Sequence, residues 1–164
     1  MALSQVRRVL SIDPGTERCG WAILEAEPGM RSAFKALGIN VIVLPELPLL
    51  ARFGHLTRQL RVIVARAKEH GVTRAAIERP FVNKNHMATL AIAGARAIAA
   101  GLAGEAGMTV VDYPPQTWKL MTGHGGADKD RVANVVKSLL NIDDDLPYDA
   151  TDAGGIGIYD LSSR

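Results

Sequence analysis

The chain has 164 residues, of which 48% are hydrophobic and 22% charged, and its formal net charge is +2. That balance excludes a disordered or fibrous chain, and the length suits one domain burying roughly 70% of its unfolded surface. The lone cysteine, Cys19, excludes an intrachain disulfide and fits a reducing cytoplasmic compartment.

The N-terminal MALSQVRRVLSIDPG lacks the apolar run and cleavage site of a signal peptide. Val6 to Ile12 reads as a first strand, stopped by Asp13-Pro14-Gly15. Gly20 to Leu24 and Gly38 to Leu44 read as two more, and their short connections predict an antiparallel meander. From Leu50 to His70 the period changes. Phe53, Leu56, Leu60, Ile63 and Ala67 recur at three and four, with Arg58, Arg61, Arg66 and Lys68 opposite, so an amphipathic helix is expected, ended by Gly71.

Val72 to Glu78 reads as a fourth strand. His86 to Ala106 reads as a helix that is apolar nearly all round and therefore expected to be buried. Its most apolar part, Met87 to Leu102, is too short to span a bilayer. Met108 to Tyr113 reads as a fifth strand before Pro114 and Pro115. A short helix at Gln116 to Met121, a glycine-rich loop at Thr122 to Ala127, a helix capped by Asp128 and running to about Leu140, and a last helix from Tyr148 to Leu161 complete the chain. Leaving the short helix aside, the order β-β-β-α-β-α-β-α-α predicts an α/β domain over residues 1–164. Strands one, four and five should be parallel in a five-stranded mixed sheet, with helices on both faces.

Asp13 ends the first strand and Glu78 the fourth. Alone, Asp13 could simply close a turn and Glu78 could be an ordinary surface acid. If the two strands are parallel neighbours, both carboxylates leave the same sheet edge, where open α/β sheets place their sites. Asp149 and Asp152 are three apart, on one face of the last helix's first turn; either also fits there as a dipole partner. Four converging carboxylates would repel and hold protons unless cations neutralise them. Mg²⁺ takes oxygen ligands of this kind, and two such ions serve in-line phosphoryl displacement. No zinc spacing, Ser-His-Asp set, Walker loop or GxGxxG is present.

Three segments together resemble the RuvC-type Holliday junction resolvases: Ser11 to Leu24 (SIDPGTERCGWAIL), Ala76 to Asn85 (AIERPFVNKN) and Tyr148 to Tyr159 (YDATDAGGIGIY). The resemblance implies a ribonuclease H-like fold and a homodimer, here through helix 86–106. It implies paired, symmetric nicking of four-way DNA junctions in recombination and repair, leaving 5′-phosphate ends, with two Mg²⁺ per site or Mn²⁺ in their place. Its acidic tetrad falls on Asp13, Glu78, Asp149 and Asp152. Its base-contacting aromatic falls on Phe81 and its DNA-facing lysines on Lys119 and Lys129, with Lys84 a further phosphate contact. A branch-migration motor as partner and a nucleoid-associated, cytoplasmic location also follow from it.

Lys129 is notable without the family, since a cation in a helix's first turn opposes the dipole. A phosphate partner would offset that, and so would Asp128 and Asp130. Gly154, Gly155 and Gly157 interrupt the last helix, which implies either a kink or close packing on the sheet. Asp143, Asp144 and Asp145 read as a solvated turn. A ribonuclease H-like nuclease acting on RNA, such as one processing ribosomal RNA, would use similar carboxylates. An actin-like nucleotide-binding protein would share the Asp13-Pro-Gly-Thr16 loop but needs a second domain. A junction-binding protein without catalysis would not need the acid set.

Overall fold

The computed structural model describes residues 5–28, 32–80, 82 and 84–164. Strands β1 (Arg7–Asp13), β2 (Arg18–Ala26) and β3 (Phe34–Val43) form the meander, and β4 (Arg74–Glu78) and β5 (Thr109–Tyr113) extend the sheet on the other side of β1. The order is β3-β2-β1-β4-β5, with β1, β4 and β5 parallel and β2 antiparallel to both its neighbours. The central strand β1 is covered on both faces, which is why Val9 to Ile12 are all buried, Ser11 included, rather than alternately so. Leu10 and Ile12 join one core, and Val9 joins the other.

Helices α1 (Leu49–Glu69) and α2 (His86–Glu105) cover the first face. On the second lie α3 (Pro115–Trp118), a 3₁₀ turn at Lys119–Thr122, α4 (Lys129–Leu140) and α5 (Tyr148–Ser162). The buried stripe of α1 is Leu56, Leu60, Ile63, Val64 and Ala67. Asp128 caps α4 by accepting from the Arg131 N–H. Strands β2 and β3 run beyond the apolar segments expected of them. Their ladder continues from Arg18–Val43 to Ala26–Phe34 around a bulge at Ile23/Leu24, carrying Glu25 and Lys35 on the wet margin of the sheet.

Helix α2 is buried on one side only within the chain: Ala95, Ala99, Leu102 and Ala103 face the core, while Met87 and Leu90 are 74% and 65% exposed, which leaves open the side the expected homodimer would cover. Its small residues permit close approach to α1 and the sheet on one side only. At 20 residues α2 also exceeds the Met87–Leu102 stretch and is long and apolar enough to cross a membrane, by length and composition, though one of its faces is packed in the core.

Helix α5 runs unbroken through its glycines. A Cβ at Gly154 would lie 2.8 Å from Val136 Cγ1, and one at Gly157 would lie 2.7 Å from Ser11 Oγ, so close packing is the reason for them. The last turns of α5 are tied down by Asp160, which is fully buried. It accepts from Arg74 Nε and the Tyr113 hydroxyl, each at 2.8 Å, and pairs with Arg164. Cys19 is buried and free; burial, with the nearby Asp13 charge, pushes its thiol up to about 12, so it stays neutral.

Candidate active site

The parallel pairing of β1 with β4 aligns Ile12 with Ile77. The residues that follow, Asp13 and Glu78, therefore emerge side by side at the carboxyl end of the sheet. Asp13 is paired with Gly20 across the β1–β2 ladder. Gly20 in turn lies against the first turn of α5, where an added Cβ would be 1.8 Å from the Asp149 carbonyl oxygen. Only a residue without a side chain lets α5 come this close. The contact sets Asp149 and Asp152, one helical turn apart, over the end of β1.

The four acids feel one another. Burial first, then the charges of Glu78, Asp152 and Asp149, hold the Asp13 carboxyl well above its ordinary value. Burial also raises Glu78; the Trp118 hydrogen bond works against this, and the Asp152 charge adds to it. Burial brings Asp152 to about 6, against the pull of Lys129 and Lys119. A site that concentrates this much negative charge, with oxygen donors alone, has the chemistry of a hard divalent cation site.

Two residues that sequence reasoning did not single out hold two of these acids. Arg18 Nε donates to Asp149 Oδ2 at 2.7 Å. The Trp118 indole N–H donates to Glu78 Oε2, also at 2.7 Å. With Asp149 turned to Arg18 and Glu78 to Trp118, no three acidic, His or Cys side chains among the described residues stand as a ready-made ligand shell. The four acids are neighbours whose side chains a cation would still have to gather.

Lys119 and Lys129 flank the cluster and act on the charges of both Glu78 and Asp152. Lys129 Nζ also lies 5.8 Å from the Tyr148 ring centroid. Lys84 stands apart, exposed on the segment leading into α2, and is not among the charges acting on Asp13, Glu78 or Asp152. Phe81 lies outside the described residues. Asp143, Asp144 and Asp145 are all exposed, as a solvated turn requires, with Asp145 near Lys137 at 3.6 Å.

This sheet order, with acids gathered at the strand ends under a C-terminal helix, defines a ribonuclease H-like domain. Residues 9–159 match the family model of the crossover junction endodeoxyribonuclease RuvC. The RuvC of Bradyrhizobium diazoefficiens is 37% identical over 158 residues, covering 96% of this chain and 87% of that protein. The RuvC of Chlorobium phaeovibrioides is 34% identical over 156 residues, 93% of this chain and 80% of the other. In structure, Thermus thermophilus RuvC aligns with a TM-score of 0.81 at 24% identity, covering 97% of this chain and 95% of that one. The same protein in complex with a Holliday junction substrate aligns at 0.79 and 21% identity, over 96% and 94%. The chain belongs to the RuvC family of crossover junction endodeoxyribonucleases.

Proposed function

We propose that this chain resolves four-way DNA junctions in recombination and repair. Its single ribonuclease H-like domain would nick two opposed strands and leave 5′-phosphate and 3′-hydroxyl ends. The observation that carries the reading is the convergence of Asp13, Glu78, Asp149 and Asp152 at the end of β1 in a member of the RuvC family. These four carboxylates would hold the divalent cations, Mg²⁺ or Mn²⁺. When bound, such ions activate the attacking water and stabilise the leaving 3′-oxygen.

The chain's own residues then have separable tasks. Asp13, on the central strand, is the most enclosed acid of the site and fixes its centre. Asp149 and Asp152 ride on one turn of α5, so they move together with it. Lys119 and Lys129 place positive charge beside the acids, where the scissile phosphate must lie, and Lys84 extends the phosphate track. Phe81 is assigned to stacking against a base at the junction.

Two opposed nicks call for two sites related by a two-fold axis. The exposed Met87 and Leu90 on the outer side of α2 suit an isologous homodimer through that helix. The apolar outer face favours this reading over a monomeric nuclease for RNA. The working environment is the nucleoid-containing cytoplasm, with a branch-migration motor as the further partner.

The test is cleavage of labelled four-way junction, linear duplex and RNA–DNA hybrid, with and without Mg²⁺. Cleavage should be confined to the junction and to the metal-containing reactions. Asp13→Asn should bind the junction normally and lose cleavage by several orders of magnitude. Cutting of the hybrid in preference to the junction would overturn the assignment.

A further inference from the structure

Trp118 is 1% exposed and sits in the second core beside Ile156 and Ile158. A core tryptophan needs only some acceptor for its N–H. Here the acceptor is Glu78 Oε2, at 2.7 Å. The face of the same ring lies 5.7 Å below Lys119 Nζ, within cation–π reach. One buried ring thus touches an acid and a lysine of the site.

The opposite helix is shaped to admit it. A Cβ at Gly155 would lie 2.7 Å from Trp118 Cζ3 and 2.9 Å from Met121 Cε. Glycine is unfavourable inside a helix, and at this position it is what the indole requires. The donor is also of a particular kind. An indole N–H donates only; it neither accepts nor ionises in the working range. It therefore holds one oxygen of Glu78 without itself changing charge, and leaves Oε1 out of that bond.

We propose that Trp118 is a positioning residue of the nuclease site, fixing the Glu78 carboxylate through its N–H and Lys119 through its ring face, and that Gly155 is the cleft that seats it. The proposal rests on the reading of Glu78 as a member of that site. Supporting donors of this type orient metal-binding side chains by removing their rotational freedom.

The chain has two tryptophans, and Trp21 packs against the other core, on the far face of the sheet. In a Trp21→Phe background, Trp118 is the sole indole emitter. Titrating this protein with Mg²⁺ in the absence of DNA should shift the Trp118 emission, and Glu78→Gln should abolish the shift. By calorimetry, Trp118→Phe should weaken Mg²⁺ binding about tenfold, the effect of losing one hydrogen bond to a charged group. Gly155→Ala, which keeps both Trp118 and Glu78 but displaces the ring, should weaken Mg²⁺ binding in the same direction.

Unaltered Mg²⁺ affinity in both variants would overturn the proposal. So would an emission spectrum that ignores Mg²⁺ at concentrations calorimetry shows to be saturating. The emission arm needs no change at Trp118 and decides the matter even where Trp118→Phe fails to fold. Failure of the parent protein to cut junctions would instead sink the nuclease reading, and neither binding readout depends on cleavage.

Discussion

Gly20 and Asp149 meet backbone to backbone: a Cβ on Gly20 would sit 1.8 Å from the Asp149 carbonyl oxygen. Since Gly20 is also the ladder partner of Asp13, this single contact sets the spacing between the acid on the sheet and the acids on α5. A backbone oxygen cannot swing aside, so Gly20→Ala must lift the first turn of α5. Overpacking of this kind costs about 1–3 kcal/mol, which for a chain of this size lowers Tm by about 2–12 °C. Cleavage should fall by at least about a hundredfold, the cost of a misplacement near 1 Å. Calorimetry and single-turnover cleavage on the same preparation check both.

A cation drawn to Asp149 would have to displace Arg18. The pair is short, at 2.7 Å, but 44% and 29% of the two side chains remain exposed, so its effect on stability is small. Arg18→Gln should change the metal-free Tm by less than about 4 °C, corresponding to at most about 1 kcal/mol. It should lower the Mg²⁺ concentration that half-saturates the site. Calorimetric titration checks this, and a higher half-saturation point would show that Arg18 assists the cation.

The raised carboxyls predict an inverted pH dependence in chelator. In the unfolded chain Asp152 ionises near its ordinary 3.8, whereas in the folded chain it does so at about 6. The folded state therefore binds more protons across that window, and stability falls as pH rises through it. Asp13 adds to the loss, since burial and its acidic neighbours raise its carboxyl as well. Tm in EDTA should be higher at pH 5 than at pH 7. Mg²⁺ should restore it at pH 7 and do less at pH 5, where a proton on Asp152 competes with the cation. Melting curves at the two pH values, with and without Mg²⁺, decide it.

Lys119 and Lys129 flank the cluster, and their removal should act through salt. Each alanine variant should weaken junction and duplex binding alike and reduce the slope of log K against log salt by about one. It should also make protonation of Glu78 and Asp152 easier, because both lysines hold those carboxyls down. The acidic limb of the cleavage profile should then move to higher pH, which rate measurements between pH 5 and 8 would show.

Much of this was legible in the residues. The strand ends at Asp13 and Glu78 were marked by turn signals, and parallel pairing followed from the intervening helix. Asp149 and Asp152 were set on one face by their spacing alone. What stayed hidden depends on chain crossings that no local pattern reports. Arg18 begins β2 and Trp118 ends a four-residue helix, and nothing near either names Asp149 or Glu78 as its partner. The glycines of α5 left a kink and close packing both open, because the neighbours that decide it, Val136, Trp118 and Ser11, come from three other parts of the chain. For helix α2, composition and the small size of the domain told that one side would be left for a partner, but not which residues that side would carry.

The far end of α5 has its own consequence. Asp160, locked by Arg74, Tyr113 and Arg164, lies eight residues beyond Asp152, about 12 Å along the axis. Arg7 adds a bond to the Leu161 carbonyl oxygen at 2.7 Å. The helix is thus held differently at its two ends: by charged side-chain bonds at the C-terminal root, and by packing on Gly20 and the Arg18–Asp149 pair at the turn that bears Asp149 and Asp152. Charge entering or leaving that first turn disturbs only a part-exposed ion pair, and the bonds at the root do not depend on it. Amide exchange should slow along α5 from the first turn to the root, with Mg²⁺ slowing the first turn alone.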